Sequence, residues 1–431
     1  MNEQPILTRR GALASLGAGI GAAVASPAAA PHALADEPPK RSTDHLKDKV
    51  PIRGKAAPGF EELDDLILGV MDHHGIPGAG AALARDGKLL LAKGYGWSDV
   101  TTGAPAQPDT LFGLASVSKP LTAVAVLRLV EQEKLSLDDR VFDILKGIKP
   151  FPGAKVDPRL PTVTVRQCLN HTGGWDRDVT GDPIMWSPQV CRMLRVPPPL
   201  TAAQLISCVM TVPLNFDPGT RVAYCNFAYI VLGEVIAAVS GQPYGRFVRD
   251  SALEPAGAKG ARLDDPDGKY PPNTARRHIA GTLTALPPLE MPMLDASGGW
   301  LASPLDLIRF LTALDGSRGK PLLNEKTRQL MLEPPPKPVQ PNADGSHVGL
   351  GWDQVGIKDK SFAYTKGGSN PGERTAIKRR FDGVNWVLLF NASMEFDPQD
   401  VDHLSRGLKE VLQKIDRLDK FPDVDLFKEF P

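Results

Sequence analysis

Two Asp-Gly pairs at opposite ends of the chain set its architecture. Asp86-Gly87 joins the strand-like runs 78–85 and 88–94, and Asp382-Gly383 joins 375–381 to 385–391. Asp-Gly between such runs is a strong hairpin signal, because the pair accepts the backbone conformations of a tight turn. An amphipathic helix pattern borders each hairpin. Phe60, Leu63, Leu66, Ile67, Val70 and Met71 form one apolar stripe, and Val401, Leu404, Leu408, Val411, Leu412, Ile415 and Leu418 form the other. The simplest arrangement is one sheet built from both chain ends and covered by the first and last helices. Helical patterns at 121–130, 226–239 and 304–314 lie between them, separated by Pro-rich loops. The expected fold class is α+β. A mainly antiparallel sheet, from about 59–115 and 345–425, is flanked by N- and C-terminal helices and interrupted by a mostly helical insert at about 120–300. The stretches 174–200 and 255–292 read as irregular loops shaping a cleft.

At 431 residues the chain has room for one large domain or two ordinary ones. Its 50 basic and 50 acidic residues cancel, so nothing favours a nucleic-acid or anionic-membrane partner. Residues 1–35 read as an export signal. Thr8-Arg9-Arg10-Gly11-Ala12-Leu13 gives a twin-arginine start, a weakly apolar Ala/Gly run follows, and Ala33-Leu34-Ala35 is a small-x-small cleavage site. That run is too short and glycine-rich to span a membrane, so the expected product is exported, periplasmic or extracellular, without a stable membrane anchor. Residues 36–58 read as a linker, and 59–425 as the folded domain. Cys168, Cys191, Cys208 and Cys225 allow one or two disulfides, or four buried free thiols. Their spacings, and the isolated His73-His74 pair, fit no metal motif.

Three segments carry chemistry. Ser116-Val117-Ser118-Lys119 places an amine one helical turn from a hydroxyl, just ahead of an apolar helix whose first turn accommodates Pro120. A serine hydroxyl is a weak nucleophile without an adjacent base, and a lysine can serve once burial lowers its pKa. Tyr224-Cys225-Asn226 suits a tight loop before a helix. A phenolate beside a lysine ammonium can take the serine proton, and the Asn226 amide can orient the lysine and a substrate carbonyl. In Lys366-Gly367-Gly368-Ser369, two glycines allow close approach to the backbone and the lysine offers positive charge. The N–H groups of Ser116 and Ser369 together would form an oxyanion hole. Each segment alone is a commonplace helix start, turn or glycine loop. Their conjunction is not.

In this order the three segments resemble the boxes of the serine β-lactamase and penicillin-binding superfamily, and within it the class C branch. That branch includes D-alanyl-D-alanine carboxypeptidases and β-lactamase-like esterases. The stretch from Thr162 to Gly174, ending Leu169-Asn170-His171-Thr172-Gly173-Gly174, is similar to the family's helix-to-loop segment. Ala296-Ser297-Gly298-Gly299-Trp300, Ser303-Pro304-Leu305-Asp306-Leu307 and Gly349-Leu350-Gly351-Trp352 also fit. The resemblance implies roles. Ser116 would be the acylated nucleophile, Lys119 its hydrogen-bonded proton relay, and Tyr224 the general base or acid. Asn226 would bind the substrate amide or carbonyl. Lys366 would support Tyr224 and attract a substrate carboxylate, with Gly368 beside it, and Ser369 would lend its N–H to the oxyanion hole. Gly367 stands where β-lactamases commonly carry threonine, and Cys225 where serine or alanine is usual.

The implied activity is hydrolysis of an ester, a β-lactam or a D-alanyl peptide through an acyl-enzyme. The partner would be a small-molecule or peptide acyl substrate, and no cofactor or metal is implied. A non-catalytic peptidoglycan- or peptide-binding relative is the alternative, but it would be expected to lack Ser116, Lys119 or Tyr224. His171 invites a Ser-His-Asp triad. Ser116 lacks a Gly-x-Ser-x-Gly elbow, so His171 is expected to be structural.

Overall fold

The computed structural model describes residues 49–264, 270–282, 284–287, 292–359, 361–393, 411 and 413–430. Both chain ends enter one antiparallel sheet. The N-terminal part supplies β1 (Ile52–Ala56), β2 (Gly78–Arg85) and β3 (Lys88–Asp99). The C-terminal part supplies β4 (Gln354–Lys358), β5 (Ser361–Asn370), β6 (Glu373–Arg379) and β7 (Val384–Phe390). The order is β1-β3-β2-β7-β6-β5-β4, and the short run Ala104–Pro105 adds to β3. Pairing of β2 with β7, with Leu83 opposite Trp386 and Ala82 opposite Val387, joins the two ends of the chain.

Both Asp-Gly pairs turn hairpins, by different geometries. Asp86 and Gly87 both have positive φ, 49° and 75°, as the commonest two-residue hairpin turn requires. At the second hairpin Gly383 alone does, at φ 80°, and its N–H closes the turn on Arg380 O at 3.2 Å.

Helix α1 (Glu61–His74) covers one face of the sheet. Leu63, Ile67, Leu68, Val70 and Met71 cluster with Leu83, Leu91, Trp386, Leu388 and Phe390, together with Val411 and Ile415 from the last helical stretch. Val401, Leu404, Leu408 and Leu412 of the C-terminal stripe lie outside the described residues. The opposite face carries α2 (Ser118–Glu131), α3 (Phe227–Ser240) and α4 (Pro304–Leu314). Helix α4 lies on β2 and β7, and α3 packs on α2. Ser303 and Asp306 form a capping box that starts α4, with Pro304 in its first turn. Eleven of the fourteen residues of α2 are buried, including Ser118, Lys119 and Thr122. A helix closed off on nearly every side holds its side chains, Lys119 among them, with little freedom.

Two expectations are corrected. The linker at 36–58 contains β1, which pairs with β3 from Ile52–Tyr95 to Ala56–Leu91. The middle three residues of this edge strand are exposed, so its Arg-Gly-Lys sequence carries no apolar alternation. The stretch 174–200 is not irregular throughout. It holds short helical turns at Arg177–Thr180 and Pro183–Trp186, followed by the helix Ser187–Leu194. Pro183 and Pro188 sit in first turns, where a missing N–H is harmless, so these prolines begin helices. Part of 255–292 lies outside the described residues. All four cysteines are buried free thiols. Among the described residues, no helix is long and apolar enough to cross a membrane.

Candidate active site

Ser116 lies in the tight turn Ala115–Val117 that runs directly into α2. The residue before it, Ala115, is fully buried and has φ 46°. A residue with a Cβ is strained there, and the surrounding packing must hold it. Lys119, one turn further on, is 0% exposed. Its Nζ lies 3.1 Å from Ser116 Oγ and donates to Asn226 Oδ1 and to Ser297 O, each at 2.6 Å.

The Tyr224–Asn226 segment immediately precedes α3. Tyr224 Oη is 2.6 Å from Ser116 Oγ and 3.2 Å from Asn226 Oδ1. Asp182 fixes which way the Asn226 amide faces. Its Oδ2 accepts from both the backbone N and Nδ2 of Asn226, at 3.0 and 2.9 Å. Oδ1 is thereby left for Lys119 and Tyr224.

His171 makes no hydrogen bond to Ser116. Its Nδ1 accepts from Cys225 N at 3.4 Å, and its ring lies against Tyr224 with centroids 4.4 Å apart. The histidine is a wall for the tyrosine and not a triad member.

Lys366 reaches the cluster from β5. Its Nζ is 4.9 Å from the Tyr224 ring centroid and ion-paired with Asp353. On the outer side of the same ring, Arg177 Cζ lies at 4.5 Å. The two glycines of this segment differ. A Cβ on Gly368 would sit 2.4 Å from Thr375 Oγ1, 2.5 Å from Leu114 O and 3.0 Å from Ser116 N. The chain itself, packed against the turn that carries Ser116, therefore requires glycine there. A Cβ on Gly367 would meet nothing closer than Thr375 O at 3.9 Å. Gly367 and Gly368 belong to a strand, not to a glycine turn, and Ser369 lies opposite Arg374 in the β5–β6 pairing.

Burial sets the charge state of the cluster. It drives the Lys119 amine well below the ordinary lysine range, helped by the Lys366 charge and opposed by Asp353 and Asp182. The Tyr224 phenol is pushed up by burial, against the pull of its bond to Ser116. Lys366 is lowered by burial and held up by Asp353, and the His171 imidazole is driven well down by burial beside Lys366 and Lys119.

Ser116, Lys119, Tyr224 and Asn226 are thus brought into one hydrogen-bonded group, with Lys366 and Gly368 against it. Asp182, Asp353 and Arg177 escaped the sequence reading. Asp182-Pro183 looks only like a helix cap, which it also is, and Asp353 is an unremarked residue after Trp352.

The pattern of the Beta-lactamase family matches residues 63–406. Protein flp of Staphylococcus aureus (strain N315) is 24% identical over 350 residues, 80% of this chain and 66% of flp. Esterase EstB of Burkholderia gladioli is 32% identical over 205 residues, 46% of this chain and 50% of EstB. The chain therefore spans just under two thirds of flp and half of EstB. The octameric penicillin-binding protein homologue from Pyrococcus abyssi superposes with a TM-score of 0.64 at 24% identity, over 82% of this chain and 77% of that one, a likeness that bears on the fold. With the match spanning strands from both chain ends and all three chemical segments, this chain belongs to the Beta-lactamase family.

Proposed function

We propose that the enzyme hydrolyses an ester or amide through an acyl-enzyme on Ser116, in the manner of the class C-like branch. The contacts of the Lys119 amine carry this reading. A neutral amine has two N–H donors and one lone pair. Asn226 Oδ1 and Ser297 O, both at 2.6 Å, take the two donors, and the lone pair is left facing the Ser116 hydroxyl at 3.1 Å. The Tyr224 phenol then donates to Ser116 Oγ at 2.6 Å. Burial favours this amine–phenol pair over an ammonium–phenolate pair, since it disfavours the charged form of each group.

Ser116 Oγ bonds to the acyl carbon as its proton passes to Lys119 Nζ. The oxyanion is held by the N–H groups of Ser116 and Ser369. As the carbonyl re-forms and the bond to the leaving group breaks, Tyr224 protonates that group and is itself reprotonated from the Lys119 ammonium. Water then attacks the acyl-enzyme, giving up its proton to the same pair, and Ser116 departs with a proton returned to it. Asn226 orients both proton carriers, with its amide fixed by Asp182.

Incubation with p-nitrophenyl butyrate followed by intact-mass spectrometry tests this reading. A butyryl adduct on Ser116 that is absent from Ser116→Ala, together with loss of turnover, is the expected result. Unchanged turnover by Ser116→Ala would overturn it.

Export belongs to the same proposal. The twin-arginine start and the Ala33-Leu34-Ala35 site support a periplasmic or extracellular enzyme, with 59–425 as its hydrolase domain. Both motifs lie outside the described residues.

A further inference from the structure

The cation beside the nucleophile is already occupied by the chain's own carboxylate. Asp353 Oδ1 is ion-paired with Lys366 Nζ, and Asp353 Oδ2 accepts from Gly367 N at 3.1 Å. One charged donor and one adjacent backbone donor, each taking one oxygen, is how a bound carboxylate is held. The arrangement is built in. Asp353 N donates to Thr365 O at 3.1 Å, and the preceding Trp352 is buried against Tyr364 with centroids 4.4 Å apart. The Lys366 side chain is 1% exposed and that of Asp353 is 40% exposed, so solvent meets the carboxylate and not the ammonium.

Of the other cations near Tyr224, Lys119 is sealed inside and Arg177 is half-exposed with Asp178 3.8 Å away, so Lys366 is the one whose ammonium and adjacent backbone N–H are both taken by a single carboxylate. The segments that bring Arg177, Asp182 and Tyr224 to the site also carry Val179, Met185 and Val222. These are three of the five large apolar side chains that are exposed among the described residues.

We propose that Asp353 determines specificity by standing where a substrate carboxylate would bind, so that the enzyme acts on uncharged acyl esters whose leaving group bears no carboxylate. This rests on the hydrolase reading given above. An incoming carboxylate would have to displace Asp353 or lie against it unpaired, and a like charge in that position is strongly discriminating.

The test is a matched pair of esters, 3-butyryloxybenzoate and its methyl ester, which differ only in a carboxylate on the leaving group. The wild-type enzyme should prefer the methyl ester by about tenfold or more in kcat/KM. Asp353→Ala should move that ratio at least about tenfold toward the acid. Asp353→Asn, which keeps the shape and can still accept from Gly367, should move it in the same direction. A purely structural role would lower both substrates together and leave the ratio where it was.

Equal kcat/KM for the two esters in the wild type overturns the proposal whether or not either variant folds. An unchanged ratio in a folded variant overturns it as well. Failure of either ester, and of a fluorophosphonate, to modify Ser116 would overturn the hydrolase reading and this inference with it. Turnover of both esters at the same rate through Ser116 would overturn only the role of Asp353.

Discussion

Asp182 Oδ2 accepts two hydrogen bonds from Asn226, from the backbone N at 3.0 Å and from Nδ2 at 2.9 Å. The pairing leaves Asn226 Oδ1 facing Lys119 Nζ at 2.6 Å and Tyr224 Oη at 3.2 Å. A flipped amide would turn an N–H donor toward the Lys119 amine, whose N–H needs an acceptor there. Asp182 makes no hydrogen bond to Ser116 or Lys119, so it acts on them by orienting Asn226 and, through its charge, by opposing the lowered pKa of Lys119.

Asp182→Ala should therefore lower kcat by about tenfold to a hundredfold with a smaller change in KM, as losses of groups that orient a catalytic residue do. It should also cost about 1 kcal/mol of stability, because Asp182 caps the turn Pro183–Trp186. Steady-state kinetics and a thermal melt separate the two effects. A loss confined to stability would mean that the amide orientation does not matter.

The Lys119 amine gives the pH dependence its sign. Burial places its pKa well below the ordinary lysine value, and the reaction needs the unprotonated form. The acylation rate should rise with pH as Lys119 loses its proton, then level off above that lowered pKa. Tyr224 acts as the phenol and its pKa is raised, so the rate should not fall through the ordinary tyrosine range. Lys119→Arg, charged at every accessible pH, should cost on the order of a hundredfold or more and abolish the rising limb. Stopped-flow acylation by p-nitrophenyl butyrate reads both. A rate that falls as Lys119 deprotonates would assign the base to a Tyr224 phenolate.

Much of this site was legible because its parts obey local rules. Ser116 and Lys119 share a helix face at a spacing of three, and Tyr224 and Asn226 flank a helix start. The Asp-Gly hairpins announce themselves through backbone conformations that few residue pairs tolerate. What stayed hidden lacks any local signature. Strand β1 is an edge strand with exposed polar residues, and its pairing with β3 is the whole of its evidence. Asp182 and Asp353 act through partners 44 and 13 residues away in the chain. An aspartate before proline reads as a cap, and one after a tryptophan reads as a loop residue. Only the folded geometry shows that each completes the site.

His171 separates packing from chemistry. Its ring lies 4.4 Å from that of Tyr224 and 5.3 Å from that of Tyr229. His171→Phe keeps an aromatic wall for Tyr224 and should retain most of the esterase activity, with some loss of stability because residue 171 has φ 59°. His171→Ala removes the wall and should lower both activity and melting temperature. A triad histidine would lose activity equally in the two variants, so comparing their kcat values decides between the roles.

The two glycines of the third segment should respond oppositely to the same methyl group. At Gly368 a Cβ falls 2.5 Å from the Leu114 carbonyl oxygen and 3.0 Å from Ser116 N, neither of which can yield without moving the nucleophile turn. Gly368→Ala should destabilise the fold by about 1–3 kcal/mol, the usual cost of overpacking, and displace Ser116 from Lys119 and Tyr224. At Gly367 the nearest neighbour of a Cβ is Thr375 O, at 3.9 Å. Gly367→Ala should stay within about 0.5 kcal/mol of the parent, since its Cβ makes only ordinary van der Waals contact there. Urea denaturation gives the two stabilities, and labelling of Ser116 by a fluorophosphonate reports the nucleophile. Comparable losses in both variants would mean that β5 is fixed by its backbone conformation alone, and not by its contact with the turn that carries Ser116.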